Sequence, residues 1–281
     1  MTRNRILTHL ALAFVALAAS AANADSEFLR FERDDSKRIV GLEVAIAHFS
    51  PTDRDDIAVD LIGAVHVGDA AYYADLNERF KDYDAVLYEL VAPEGTRVRP
   101  GMPRTGMLAG AQLAMTDGLD LAYQLDEIDY FAENLVHADL SGKELRAAMQ
   151  ERGETPLLFA WRGFIAGIKQ SARDPMGIQS TIMLANLIAP GDSRTRKITV
   201  AKELMKMDQM RELIGQDENS SIIGARNERA IEVLQRELAK GHKRVGIFYG
   251  VGHNEDFARR LTEELGFEAE GATWVKAWDI P

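Results

Sequence analysis

Two of the six histidines in the chain follow apolar runs in the same way. In "VDLIGAVHVGDAAYY" the run ends at Gly63-Ala64-Val65-His66, and in "RVGIFYGVGHNEDF" another ends at Gly250-Val251-Gly252-His253. Both read G-x-x-H at the close of a strand-like segment. A histidine after a strand is ordinarily a loop residue, but two in matched contexts point to a pair. Glu89 interrupts a third apolar run, "AVLYELV". An ionised carboxylate in a buried strand is costly unless it meets a cation or a metal. Two imidazoles and one carboxylate at a single sheet edge match a divalent metal site with an open position. The leading glycines, Gly63 and Gly250, let the backbone turn sharply and approach a ligand closely.

A further segment points to the same place. In "SSIIGARNERAIEVLQREL" the apolar face runs Ile223, Ala230, Leu234, Leu238, and Asn227 falls on it with Arg226 beside it. Polar groups on a core-facing stripe require partners. This helix leads into the strand ending at His253, so Arg226 and Asn227 are expected at the same edge. There they would stabilise a developing oxyanion or hold a substrate carboxylate. His137 and Asp139 in "LVHADLS" are candidates for supporting the site from behind. Glu89 can be read as a metal ligand or as the general base; in the second case Asp139 would join the histidines on the metal. Arg97, Arg99 and Arg104 either greet an acidic substrate or lie on a solvated loop. Met107, Met115, Met176, Met183, Met205, Met207 and Met210 either line an adaptable groove or fill a helical core. His48 and His242 have no motif, and H-E-x-x-H, G-x-S-x-G and G-x-G-x-x-G are all absent.

Strands and helices must carry these residues. "IVGLEVAIAHF" (39–49) and "IAVDLIGA" (57–64) read as strands joined by a turn. After His66 the chain turns at Gly68 and Asp69 into a helix with Tyr73, Leu76 and Phe80 on one face, then enters the strand at 85–91. The C-terminal part repeats the order. Val245 to Tyr249 is a strand, Asn254 caps a helix bearing Phe257, Leu261 and Leu265, and "EGATWVKAWDI" closes as a strand. Two β-(GxxH)-α-β units predict an α/β fold with a largely parallel or mixed sheet. Between them, residues 92–240 read as a mostly helical insertion. It opens with a Gly-, Pro- and Arg-rich loop at 92–106, Ser141 and Glu144 form a capping box, and Asp174-Pro175 starts a helix. Parallel α/β sheets bind ligands outside the carboxyl ends of their strands, where both histidines and Glu89 fall.

Composition bounds the function. Arg3, Arg5, the apolar stretch from Ile6 to Ala19 and Ala22-Asn23-Ala24 read as a secretory signal peptide over residues 1–24. The expected mature chain is one domain, 25–281, exported to the periplasm or secreted, with no stable membrane anchor after cleavage. There is no cysteine, so neither disulfides nor a lipidated cysteine contribute. Net charge is −11, and losing the leader removes two arginines and no acidic residue. That balance disfavours nucleic acid and anionic membranes as partners.

In order along the chain, G-x-x-H, a strand bearing Glu, Arg-Asn on a helix and a second G-x-x-H resemble the TraB/PrgY/GumN family, which includes the Tiki proteins. The resemblance spans about residues 39–281 and rests on Gly63 to His66, Glu89, Arg226-Asn227 and Gly250 to His253. Tiki members are metal-dependent proteases, and others restrict peptide pheromones. The resemblance implies a metallopeptidase using manganese, cobalt or zinc held by His66, Glu89 and His253, acting on a peptide or protein substrate. The alternative is a protein that sequesters a peptide or small ligand without turnover. The C-terminal membrane segment of several relatives is missing here.

Overall fold

The computed structural model describes residues 27–54, 56–99, 101, 119–154, 192–209 and 220–281. The expected signal peptide, the helix start at Asp174-Pro175, Arg104, and Met107, Met115, Met176, Met183 and Met210 lie outside them, as does the side chain of Met207.

The strand-forming runs assemble into one mixed sheet. In chain order the elements are β1 (Leu29–Arg33), β2 (Ile39–Pro51), β3 (Ala58–Ala64), β4 (Val67–Gly68), α1 (Ala70–Phe80), β5 (Ala85–Tyr88), β6 (Ala122–Tyr123), α2 (Gln124–Glu127) and β7 (Leu135–His137). Next come α3 (Gly142–Glu151), α4 (Ser193–Gln209), α5 (Gly224–Ala239), β8 (Arg244–Gly250), a 3-10 turn (Val251–His253), α6 (Asn254–Arg259), a π turn (Arg260–Glu264) and β9 (Phe267–Asp279). The strand order is β1-β2-β3-β8-β5-β7, with β9 also paired to β2. Strands β3, β8, β5 and β7 are mutually parallel. Strands β1, β3 and β9 run antiparallel to β2. The fold is therefore α/β with a mixed sheet.

Helices cover both faces of the parallel part, which is why its strands read as nearly unbroken apolar runs. On one face Tyr72, Tyr73, Leu76 and Phe80 of α1 pack with Val44, Ile62, Val86, Phe248 and Trp278. On the other, Ala230, Ile231 and Leu234 of α5 and Phe257 of α6 pack with Leu61, Leu87, Ile247 and Tyr249.

The second unit closes differently from the first. Both flanks of β8 are taken, by β3 and by β5. Strand β9 therefore cannot return beside β8 and instead runs antiparallel along β2 from Gly41 to Pro51. Within 92–240 the described residues include helices α2 to α5 but also β7, which extends the main sheet beside β5. The capping box of α3 is present, with Ser141 and Glu144 bonded reciprocally. Asn254, by contrast, is the first residue of α6 rather than its cap, and its buried amide makes no hydrogen bond. Among the described residues no helix is long and apolar enough to cross a membrane.

Candidate metal centre

Four parallel neighbours deliver the site. His66 follows β3, Gly250 ends β8, Glu89 follows β5 and Asp139 follows β7. The loop carrying His66 is held carbonyl by carbonyl. Tyr72 and Tyr73 hydroxyls donate to the Gly63 and Val65 oxygens at 2.9 and 2.8 Å. The Gln124 N–H reaches the His66 oxygen at 3.0 Å, and Trp278 Nε1 reaches the Val67 oxygen at 2.7 Å. A loop whose carbonyls are so satisfied gives a rigid mount for the imidazole.

Glu89 sits at the centre. Its Oε1 accepts from Arg226 Nη2 at 2.6 Å, and its Oε2 accepts from the Gly250 N–H at 2.7 Å. His253 Nε2 lies 3.8 Å from Oε1. Burial works against the Glu89 charge, but Arg226, then His253 and His66, and the Gly250 N–H outweigh it. They hold the carboxyl well below the usual carboxylate range. Arg226 itself is bidentate to Asp139, with Nε to Oδ1 at 2.9 Å and Nη2 to Oδ2 at 2.6 Å. Burial opposes its charge too, and Glu89 and Asp139 overcome that, keeping the guanidinium firmly protonated. Arg226 stands in the first turn of α5, next to the positive end of the helix dipole, where a cation is disfavoured without such partners.

Asn227 meets the other histidine. Its Oδ1 faces His253 Nδ1 at 2.5 Å, while its Nδ2 donates to the His253 carbonyl at 3.1 Å and to Asp256 at 3.0 Å. At the first motif, His66 Nδ1 bonds Gln124 Oε1 at 3.0 Å. Gln124, buried on the four-residue helix α2, carries no sequence motif and was not among the expected site residues. His66 is exposed, whereas His253 is buried. The site therefore opens to solvent on the His66 side.

The donor set can be tested on its own geometry. Two ligands about 2 Å from one ion at a tetrahedral angle stand about 3.3 Å apart, close to the 3.8 Å between His253 and Glu89. A Cβ built on Gly250 would lie 3.2 Å from Glu89 Oε2 and 3.7 Å from His66 Nε2. The missing side chain thus leaves a gap that both groups border. As the side chains stand, no three His, Asp or Glu residues among those described are gathered tightly enough to hold an ion together. The carboxylate is drawn instead toward Arg226. The residue types and the gap fit a divalent ion that takes imidazole and carboxylate ligands.

No protein-family model, curated protein or solved structure matches this chain.

The remaining expected residues separate clearly. Asp139 has both oxygens committed to Arg226, and Oδ1 also accepts the Leu140 N–H at 2.7 Å. That placement makes it the partner of Arg226 rather than a metal ligand. Arg226 Nε and Nη2 and both amide atoms of Asn227 are likewise committed inside the protein. His137 Nε2 donates to the Leu90 oxygen at 2.7 Å, steadying the chain just after Glu89. Gly63 lies away from the gap, packed against Val44 and Asn254. Arg97 Nη1 donates to the carbonyls of Tyr130 and Ala132, which ties it to a loop. His48, without a motif, links Asp60 at 2.8 Å and Thr273 at 2.9 Å at the opposite end of β3.

Proposed function

We propose that this chain is an exported metal-dependent hydrolase that acts as a peptidase. The observation that carries the reading is the meeting of two histidines from matched G-x-x-H motifs with Glu89 at the carboxyl edge of adjacent parallel strands. His66, Glu89 and His253 would hold the ion. When bound, a divalent ion supplies Lewis acidity toward a water and a scissile carbonyl. The chain's own contribution is to fix the donors and exclude water behind them, since His253, Arg226, Asn227 and Asp139 are buried. Exposed His66 leaves one side for a substrate. The resemblance to TraB/PrgY/GumN proteins, with their Tiki proteases, supports a peptide or protein as substrate.

One observation favours the non-catalytic alternative. Glu89 already has a cation and an N–H as partners, so the edge can exist as a plain buried ion pair. Elemental analysis of natively purified protein, with a peptide-library cleavage assay on wild type and His253→Ala, separates the two. The hydrolase reading expects near-stoichiometric metal and turnover, both abolished in His253→Ala with the thermal midpoint nearly kept. Tight peptide binding without metal or turnover would overturn it.

A further inference from the structure

The two G-x-x-H histidines are gripped in the same manner by residues that share no motif. At His253, the amide of Asn227 receives the ring at Oδ1 and donates to the histidine's own carbonyl oxygen from Nδ2. At His66, Gln124 receives the ring at Oε1 and donates to the histidine's own carbonyl from its backbone N–H. Each clamp thus fixes ring and backbone of one histidine together. Asn227 is wholly buried and Gln124 is 3 % exposed, so water cannot substitute for either.

The amide orientations have a chemical consequence. Asn227 Nδ2 faces a carbonyl oxygen and the Asp256 carboxylate, both of which only accept. Its Oδ1 must therefore be the atom toward the imidazole, and an amide oxygen only accepts. His253 Nδ1 then has to carry the proton. At Gln124, Oε1 stands toward His66 Nδ1 and Nε2 donates to the Tyr130 hydroxyl at 3.0 Å; a hydroxyl can donate as well as accept, so at His66 the Nδ1–H form is part of the inference and is not forced by the partners. In a neutral ring of that form the lone pair is left on Nε2. For His253 that nitrogen faces Glu89, and for His66 it borders the gap at Gly250. Other histidines here go either way: His137 uses Nε2 as donor to the Leu90 carbonyl, while His48 turns Nδ1 to the Asp60 carboxylate.

We infer that Gln124 and Asn227 are a matched pair of positioning residues, which set both histidines in the Nδ1–H tautomer so that the Nε2 of His253 is turned to Glu89 and the Nε2 of His66 to the gap at Gly250. The inference rests on the metal-site reading for its purpose, but the tautomers exist without any ion and can be read separately. Gln124 is the better residue to perturb, since Asn227 also binds Asp256 and its loss risks the start of α6.

The test uses long-range proton–nitrogen NMR of the metal-free full chain, at a pH above the imidazole range. Wild type is expected to show Nδ1–H at His66 and His253. Gln124→Met, similar in length but without an acceptor, is expected to release His66 toward the Nε2–H form and leave His253 unchanged. Gln124→Glu restores an acceptor and should restore Nδ1–H, a rescue that a merely packing role would not produce. Zinc titration of the same proteins should give affinity 10–100-fold lower for Gln124→Met than for wild type, the usual range for removing a partner behind a ligand. A wild-type His66 in the Nε2–H form, or a Gln124→Met protein with an unaltered His66 tautomer, would overturn the clamp. Wild type that shows the expected tautomers but takes up no zinc would instead sink the metal reading and leave the clamp standing.

Discussion

Removing Arg226 should cost far more than removing Asp139, and a variant lacking both should recover part of the loss. The guanidinium makes three charge-assisted hydrogen bonds of 2.6 to 2.9 Å to two carboxylates. Side-chain exposures of 9 %, 13 % and 0 % for Arg226, Glu89 and Asp139 leave little water to replace them. Arg226→Met strands both carboxylates without their cation, and breaking a buried pair in this way costs about 3–5 kcal/mol. With two acids stranded the upper end applies, which in a chain this size lowers the thermal midpoint by roughly 10–20 °C. Asp139→Asn keeps an acceptor for the Leu140 N–H and for Arg226 Nε, and Glu89 still neutralises the guanidinium. Its cost should be about 2–3 kcal/mol, the range for a lost hydrogen bond to a charged group. Arg226→Met with Asp139→Asn leaves one stranded carboxylate instead of two, so the pair should be less destabilised than the single changes added together, by about 1–3 kcal/mol. Urea unfolding of the four proteins measures this cycle. Additivity to within about 0.5 kcal/mol would mean that Arg226 and Asp139 are not coupled as their two hydrogen bonds require.

Two other perturbations test the frame around the site. Gly63→Ala should destabilise the protein by about 1–3 kcal/mol, because the new Cβ would fall 2.6 Å from Val44 Cγ1 and 3.1 Å from Asn254 Nδ2; an unchanged urea midpoint would show that β2 yields freely there. Glu144 is lowered from 4.5 to about 2, through its hydrogen bonds with Ser141 and then its pairing with Arg229. A depressed folded value stabilises fully above about 4.5 and is lost as pH falls toward about 2. Since the side chain is 45 % exposed, the loss should be at most about 1 kcal/mol. Glu144→Gln, which keeps the capping geometry without the charge, should have a flatter acid limb, and identical limbs would refute the assignment.

What the sequence disclosed about this fold, and what it hid, follow from the range of the interactions. Strands β3 and β8 are legible because both faces are buried, which writes itself as an apolar run with a glycine at or next to its end. Their position at the carboxyl edge then follows from parallel topology. Strand β7 is three residues long, too short for any periodicity, and is fixed only by its ladder to β5. The partner of β9 was also hidden, since its alternation marks a strand but not the occupied flanks of β8 that send it to β2. Gln124 is the sharpest case. Nothing in "AYQLDE" sets it apart, and its role arises from a contact with His66, 58 positions earlier. Arg226 and Asn227 were visible because they break an apolar stripe, but whether they face substrate or their own neighbours depended on where β7 and α6 bring Asp139 and Asp256.

The two motifs look interchangeable in sequence, yet the register of β3 on β8 gives them different duties. Gly63 is paired with Tyr249 and Ala64 with Gly250, so the motifs are offset by one residue along the ladder. His66 therefore leaves the sheet two residues beyond that last pair and His253 three residues beyond it. The offset also places the two leading glycines differently. Gly63 faces Val44 and Asn254 and serves close packing, while Gly250 faces Glu89 and His66 and keeps the gap between them open. A strictly symmetric pair would present equal groups from equal heights. The offset pair instead sets one histidine deep against Glu89 and the other at the solvent-exposed lip, an arrangement that gives the edge a closed side and an open one.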